Sequence, residues 1–379
     1  MNQKLSSETA STLDTENDFR KQLQSPLLMA MHDPVLHQFI TYLTDKKVEQ
    51  EANPNSHLKL EISRAHIAGV RESFRQNIIE GERQLHALAH ILASLLLGSE
   101  FDLHSNVIGV LPDGDRPFLI RERITQETLL SETDIDLGNT LISNFRYLKD
   151  EQWLPLQLSA NFVEYLSSSP VESGVNRLTS RVKAEEELWN KVADEIFRID
   201  QLVARDKHLR QYSKYVKDIF GIKVVCEDSR TCLAVAEQLQ TLTVRDADLE
   251  TLSLVHTFPI LDTVESQSDL LLEFIETKNY LTCSPAEMKK TGWRAIKSVV
   301  RWHERLFEIQ VQPLSNYYLE LDHMAGPSHQ SFKLSRDSMR DEVARRIPLY
   351  RFYRDLLKML FMDSSFSFEY ENASVQILE

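Results

Sequence analysis

The run LFEIQVQP, Leu306 to Pro313, limits the fold more tightly than any other stretch of the chain. On a strand, side chains two apart share a face. Phe307, Ile309 and Val311 therefore make one apolar side, and Glu308 and Gln310 make the other. Such a strand needs a core beneath it and an environment that accepts polar groups above it. The run Ile296–Trp302 before it reads as a second strand, and the short polar turn HER joins the two into a hairpin. A solvated outer face is the plain explanation of Glu308. A carboxylate aimed into a metal or catalytic cleft is the more consequential one.

Around this hairpin the chain mixes helical and strand periodicity. From Phe19 to about Lys47, and over about Ile62–Leu97, apolar residues repeat at threes and fours, as helices do. The second stretch carries His86 and His90 four apart, a spacing that can hold a metal. It lacks the glutamate of HExxH and an evident third ligand, so we read two histidines on an ordinary helix. Two β-type runs flank PDGD in 106–124 and form a hairpin, and Leu137–Leu148 reads as helix. Leu178–Val203 reads as a long charged helix, FGIKVVC (220–226) as a buried strand, and Ser229–Leu242 as a helix. LSLVHTF and FIETKNYL read as short strands, Asn316–His323 and Arg336–Met362 as helices, and the end of the chain as a strand or extended arm. The expectation is an α+β protein with a mixed sheet of four or five strands flanked by helices. SSSPVESG at 167–174 is the candidate boundary. It divides a disordered tail (1–20) and a mainly helical region with a hairpin (21–170) from a layered domain (171–335) and a C-terminal helix and arm (336–379).

The 379 residues are enough for two or three domains with a large core. A net charge of −14 repels bulk nucleic acid and anionic lipid, although a local cation cluster can still hold a nucleotide. Only 10 glycines argue against a Gly-rich dinucleotide loop. Cys226, Cys232 and Cys283 contain no CxxC pair and suit a reducing compartment. No signal peptide is visible, and the longest apolar run, Ile91–Leu97, is far short of the roughly 20 residues of a membrane span. A cytoplasmic protein without membrane contact is expected.

Four segments then fall in a telling order: SRVKAEEELWNKV (180–192), KDIFGIKVV (217–225), KNYLTCSPAEMKKTGWRAIKSVV (278–300), and FEIQVQ followed by NYYLELDH. Taken singly, each has a plain reading as a solvated helix face, a turn cap, a rim aromatic or an outer strand glutamate. Their joint order and spacing over about 175–333 resemble the RelA/SpoT alarmone synthetase domain. The resemblance implies a nucleotidyltransferase-like fold that moves pyrophosphate from ATP to the 3′-hydroxyl of GDP or GTP with Mg²⁺ as cofactor. It matches Arg181, Lys183 and Lys191 to ATP-phosphate contacts, Asp218 to a Mg²⁺ ligand, and Glu308 to a carboxylate that helps bind metal or activates the acceptor hydroxyl. Gln310 matches its neighbour, Lys289 a loop lysine near the acceptor's phosphates, Trp293 a base-stacking tyrosine, Lys223 a strand arginine, and Asp322–His323 an acid–histidine pair. Lys297 stands where the family has histidine, Glu187 where it has serine, Asn279 where it has aspartate, Thr291 where it has asparagine, and Gln312–Pro313 where it has arginine–threonine. These departures keep two further readings open: an inactive module of the same fold that binds nucleotide or protein, and a relative with an adenosine nucleotide or a tRNA 3′ end as acceptor. The region 20–167 carries no hydrolase metal motif and is expected to be regulatory or to bind a protein partner.

Overall fold

The computed structural model describes residues 33–98, 100–110, 118–167, 173–182, 219–243, 270–282, 293–303, 305–324, 338, 340–361 and 370–379, and parts of 189–197. The chain divides into two compact units, one of residues 1–78, 184–217 and 335–379, the other of 79–183 and 218–334.

In the first unit, α1 (Pro34–Ala52) starts where Asp33 accepts hydrogen bonds from the Val35 and Leu36 amides at 2.9 and 3.0 Å. Pro34 fits this first position, where an amide N–H would have no helical partner. β1 (Leu58–Ser63) buries Leu58, Leu60 and Ile62 in strict alternation and pairs in parallel with β12 (Ala373–Leu378). The expected C-terminal arm is this strand. α2 (Arg64–Leu97) contributes its first half. α7 (Pro348–Phe361) buries Tyr350, Phe352, Tyr353, Leu356 and Leu360. The single helix expected over 336–362 is interrupted among its described residues: 340–346 are helical, and Pro348 opens a new helix after Ile347. A residue before proline is biased away from helical geometry, which accounts for the break. Arg71 closes the end of α7 by donating to the Leu360 carbonyl.

The second unit is built on one eight-stranded sheet in the order β3-β2-β6-β7-β8-β11-β10-β9. Its strands are β2 (Phe101–Val110), β3 (Phe118–Ile124), β6 (Gln157–Ser167), β7 (Val175–Val182), β8 (Phe220–Cys226), β9 (Glu273–Asn279), β10 (Ile296–Trp302) and β11 (Arg305–Pro313). β8 and β11 run parallel; the other neighbours are antiparallel. The α+β class and both hairpins stand as read from the sequence. The sheet is wider than the four or five strands expected, because β2, β3 and β6 join it through β6–β7 pairing. The 167–174 stretch thus links two hydrogen-bonded neighbours rather than two sheets. Leu137–Leu148 is not one helix: α4 (Asp134–Ser143) ends and β4 (Arg146–Lys149) turns back on β5 (Gln152–Pro155) through Asp150 and Glu151, both at positive φ. α3 (Gln126–Ser131) precedes α4, capped by Thr125.

One face of the sheet is apolar. Phe220, Ile222 and Val224 of β8 and Phe307, Ile309 and Val311 of β11 are buried there. The second half of α2 buries Leu85, Leu88, Ala89 and Leu92. At Gly81 it approaches so closely that an added Cβ would run into the Phe220 ring. α5 (Ser229–Thr241), N-capped by Asp228, buries Cys232, Val235 and Leu239. Cys226 and Cys232 are neighbouring free thiols, and the contact between them, with burial, pushes the Cys226 thiol up. The tail 1–20 and the LSLVHTF segment lie outside the described residues.

Candidate functional site

The other face of the sheet is polar, and strand register shows what it gathers. Gly221 of β8 lies between Arg181 of β7 and Glu308 of β11. In the next row Lys223 lies between Thr179 and Gln310, and Gln310 pairs with Lys297 of β10, which pairs with Lys278 of β9. Four strands from distant parts of the chain therefore line up Arg181, Lys223, Gln310, Glu308 and Lys297 on one surface. Strands stand about 4.8 Å apart, so the backbones bearing Arg181 and Glu308 are about 10 Å apart across Gly221. A Cβ at Gly221 would meet no described atom within 4 Å. Among the described residues the middle of that row is an unfilled notch, with Arg181 on one side and Glu308 on the other.

Glu308 is 2% exposed, so the solvated-face explanation fails. Its carboxylate forms an ion pair with Lys297 and accepts from the Gln310 amide. Buried charge is tolerated only when paired and hydrogen-bonded, and both conditions are met here. A carboxylate has about four lone-pair positions, so two partners leave Glu308 able to take a further hard cation or a proton.

α6 (Leu314–Met324) follows β11 directly and folds back over the rows of Lys223 and Arg177. Glu320 on this helix receives Lys223 Nζ at 2.7 Å, Gln312 Nε2 at 2.9 Å and Trp293 Nε1 at 2.6 Å. Burial pushes the Glu320 carboxyl up, but the Lys223 charge and the three donors outweigh it and hold it below the ordinary carboxylate range. Asn316 accepts from the Arg294 amide at 2.9 Å and donates to Gln312 at 2.7 Å. Farther along the face, buried Glu164 takes Arg177 at 2.6 Å, the Tyr317 hydroxyl at 3.2 Å and Arg121 at 3.2 Å.

Of the residues named from sequence, Arg181, Lys223, Lys297, Glu308 and Gln310 meet on this face. Arg181 does so on a strand, not on the charged helix expected, because Arg177, Thr179 and Arg181 alternate along β7. Trp293 borders the group. Its ring meets Tyr280 edge-on at 5.5 Å and its N–H is committed to Glu320, an arrangement the stacking expectation did not include. Asp218, Lys183, Lys191 and Lys289 lie outside the described residues, and His323 is on α6 with its side chain undescribed. Glu320, Lys278 and Thr179 were missed. Glu320 stands four residues after Asn316 and three after Tyr317, and that helical spacing marks it as sharing their face. His86 and His90 do not act as a pair: His90 packs edge-on against Phe101 at 5.0 Å, and burial lowers it to about 4.

No family model and no curated protein matches the chain. Among solved structures it is similar to the small alarmone synthetase 1 from Bacillus subtilis bound to its product pppGpp. That match has 18% identity, covers 51% of this chain and 77% of that one, and has a TM-score of 0.24. It is also similar to a GTP pyrophosphokinase family protein from Streptococcus pneumoniae, at 17% identity, 50% and 73% coverage, and a TM-score of 0.22. Similarity at this level leaves the activity and ligands of this chain to its own residues.

Proposed function

We propose that the polar face around Gly221 binds ATP and a guanosine nucleotide and transfers pyrophosphate from the first to the 3′-hydroxyl of the second. The observation that carries this reading is the row Arg181–Gly221–Glu308, a cation and a buried carboxylate on either side of a notch that is unfilled among the described residues. Arg181 holds polyphosphate oxygens, and Lys297 and Lys223 add positive charge on the same face. Glu308 takes the proton of the acceptor hydroxyl as its oxygen bonds to the β-phosphorus of ATP and the bond from that phosphorus to the bridging oxygen of AMP breaks. Asp218 and Glu308 would hold Mg²⁺, whose contribution is to neutralise charge on the phosphate oxygens. The Glu308 carboxylate, a hard oxygen donor in the row of Gly221, suits that ion. pppGpp, the product bound by the Bacillus subtilis protein, is the type of product expected.

A second reading is favoured by a specific observation. Lys223 is neutralised by Glu320, and Lys297 by Glu308. A face whose lysines are internally paired has less charge to offer a transition state and fits a module that binds nucleotide without turnover.

A transfer assay separates the two. Purified chain is incubated with γ-labelled ATP, Mg²⁺ and, in turn, GDP, GTP, adenosine nucleotides and bulk tRNA, beside Glu308→Gln. The transferase reading expects a labelled guanosine product from wild type and a loss of at least about a hundredfold in the variant. Nucleotide binding without labelled product supports the module. Label on an adenosine nucleotide or on tRNA keeps the chemistry and replaces the acceptor.

A further inference from the structure

The second unit holds another cluster, on the apolar side of its sheet and separate from the polar face. α2 places Glu82 and His86 four residues apart and so on one side of the helix. Asp134 is the first residue of α4, set there by the Thr133 cap. The three are 5%, 2% and 3% exposed, and their donor atoms all lie within 4.8 Å of one another. His86 Nε2 is 3.0 Å from Asp134 Oδ1 and 3.6 Å from Glu82 Oε1.

Close as they are, these groups are not aligned with each other. Neither ring nitrogen of His86 and neither carboxylate oxygen of Asp134 has a hydrogen-bond partner among the described residues. Buried polar groups rarely stay unpaired. Donors around zinc, with bonds of about 2.0–2.1 Å, sit about 3.3–3.4 Å apart at tetrahedral angles. The two distances from Nε2 bracket that value, and all three ligand atoms lie within 4.8 Å of one another.

Charge points the same way. Two carboxylates and a neutral imidazole balance a divalent cation to zero net charge, which suits a dry pocket. Two contacts fix the ligands: the Asp134 amide donates to Glu82 Oε1, and the Asn161 side chain donates to the Asp134 carbonyl. Outer contacts of this kind orient metal ligands.

We propose that Glu82, His86 and Asp134 form a structural site for a divalent transition-metal cation, with zinc the ion best suited to one imidazole and two carboxylates. The site ties α2 to the start of α4. It rests on no feature of the nucleotide face.

The test uses the full chain, purified without a histidine tag, stripped with chelator and titrated with Zn²⁺, Co²⁺ or Mg²⁺. After gel filtration, elemental analysis is expected to find about one zinc per chain in wild type, and none in Asp134→Asn or His86→Gln. Co²⁺ is expected to give visible d–d absorption that Zn²⁺ abolishes. The melting temperature of the stripped wild type should rise with Zn²⁺, and folded Asp134→Asn should lose that rise. Wild type that retains no zinc and whose melting temperature ignores zinc would overturn the site, and this readout does not depend on the variants folding. Equal zinc retention by folded His86→Gln would overturn it too.

Discussion

Glu320 gathers a lysine, an amide and an indole N–H on one carboxylate. Its pKa is lowered in the fold, so it contributes stability above the ordinary value of 4.5, and that stability is lost as pH falls through the lowered value. Glu320→Gln should lose about 1–3 kcal/mol at neutral pH, since Lys223 keeps its charge without a counterion. The gap between wild type and variant should close as the solution is acidified below 4.5. Urea midpoints across that range check this, and a gap unchanged in acid would show that Glu320 is not ionised in the fold. Glu308 and Glu320 differ in how visible they are from sequence. The alternation of LFEIQVQP puts Glu308 opposite three core residues, a local signal. Glu320 acquires its role only because α6 folds back over β8, and no periodicity encodes that return.

At the scale of elements, hairpins and strands with clean alternation were legible. β7 was not, because its alternating VNRLTSRV runs straight into KAEEELWNK, and the helical spacing of the later charges drew Arg181 into a helix that the described residues do not show at that position. The gathering of chemistry on β7, β8, β10 and β11 follows from register, which depends on partners far away in sequence. The contact between α2 and β8 is similarly non-local. Gly81 looks like a weak helix position, yet it is where the Phe220 ring seats. Gly81→Ala should therefore destabilise by roughly 1–3 kcal/mol through overpacking, although alanine favours helix by about 1 kcal/mol. Chemical denaturation decides the sign; a stabilised variant would mean that the helix can move away from the sheet.

For the whole molecule, the expected boundary at 167–174 fails as a place to cut. β6 and β7 pair across it, Val163 with Ser180 through Leu166 with Arg177. A fragment of residues 171–379 would lose β2, β3 and β6 and expose the edge of β7, and an unpaired inner strand edge templates association. That fragment should be insoluble or aggregated on gel filtration, whereas a monodisperse, folded fragment would show that the β8–β11 half stands alone. Sequence could not warn of this, since the −14 charge and the Ser/Pro/Gly stretch say nothing about which strands pair.

The most direct test of the central claim is calorimetric titration of ATP·Mg²⁺ and of GDP into wild type and Gly221→Leu. The melting temperature of the variant shows whether it is folded. An added Cβ at Gly221 meets no described atom within 4 Å, and the new side chain would stand between Arg181 and Glu308. Wild type is expected to bind nucleotide, and folded Gly221→Leu to bind at least about tenfold more weakly, near 1.4 kcal/mol. Equal binding by the two would place the nucleotide elsewhere and contradict the assignment of this face.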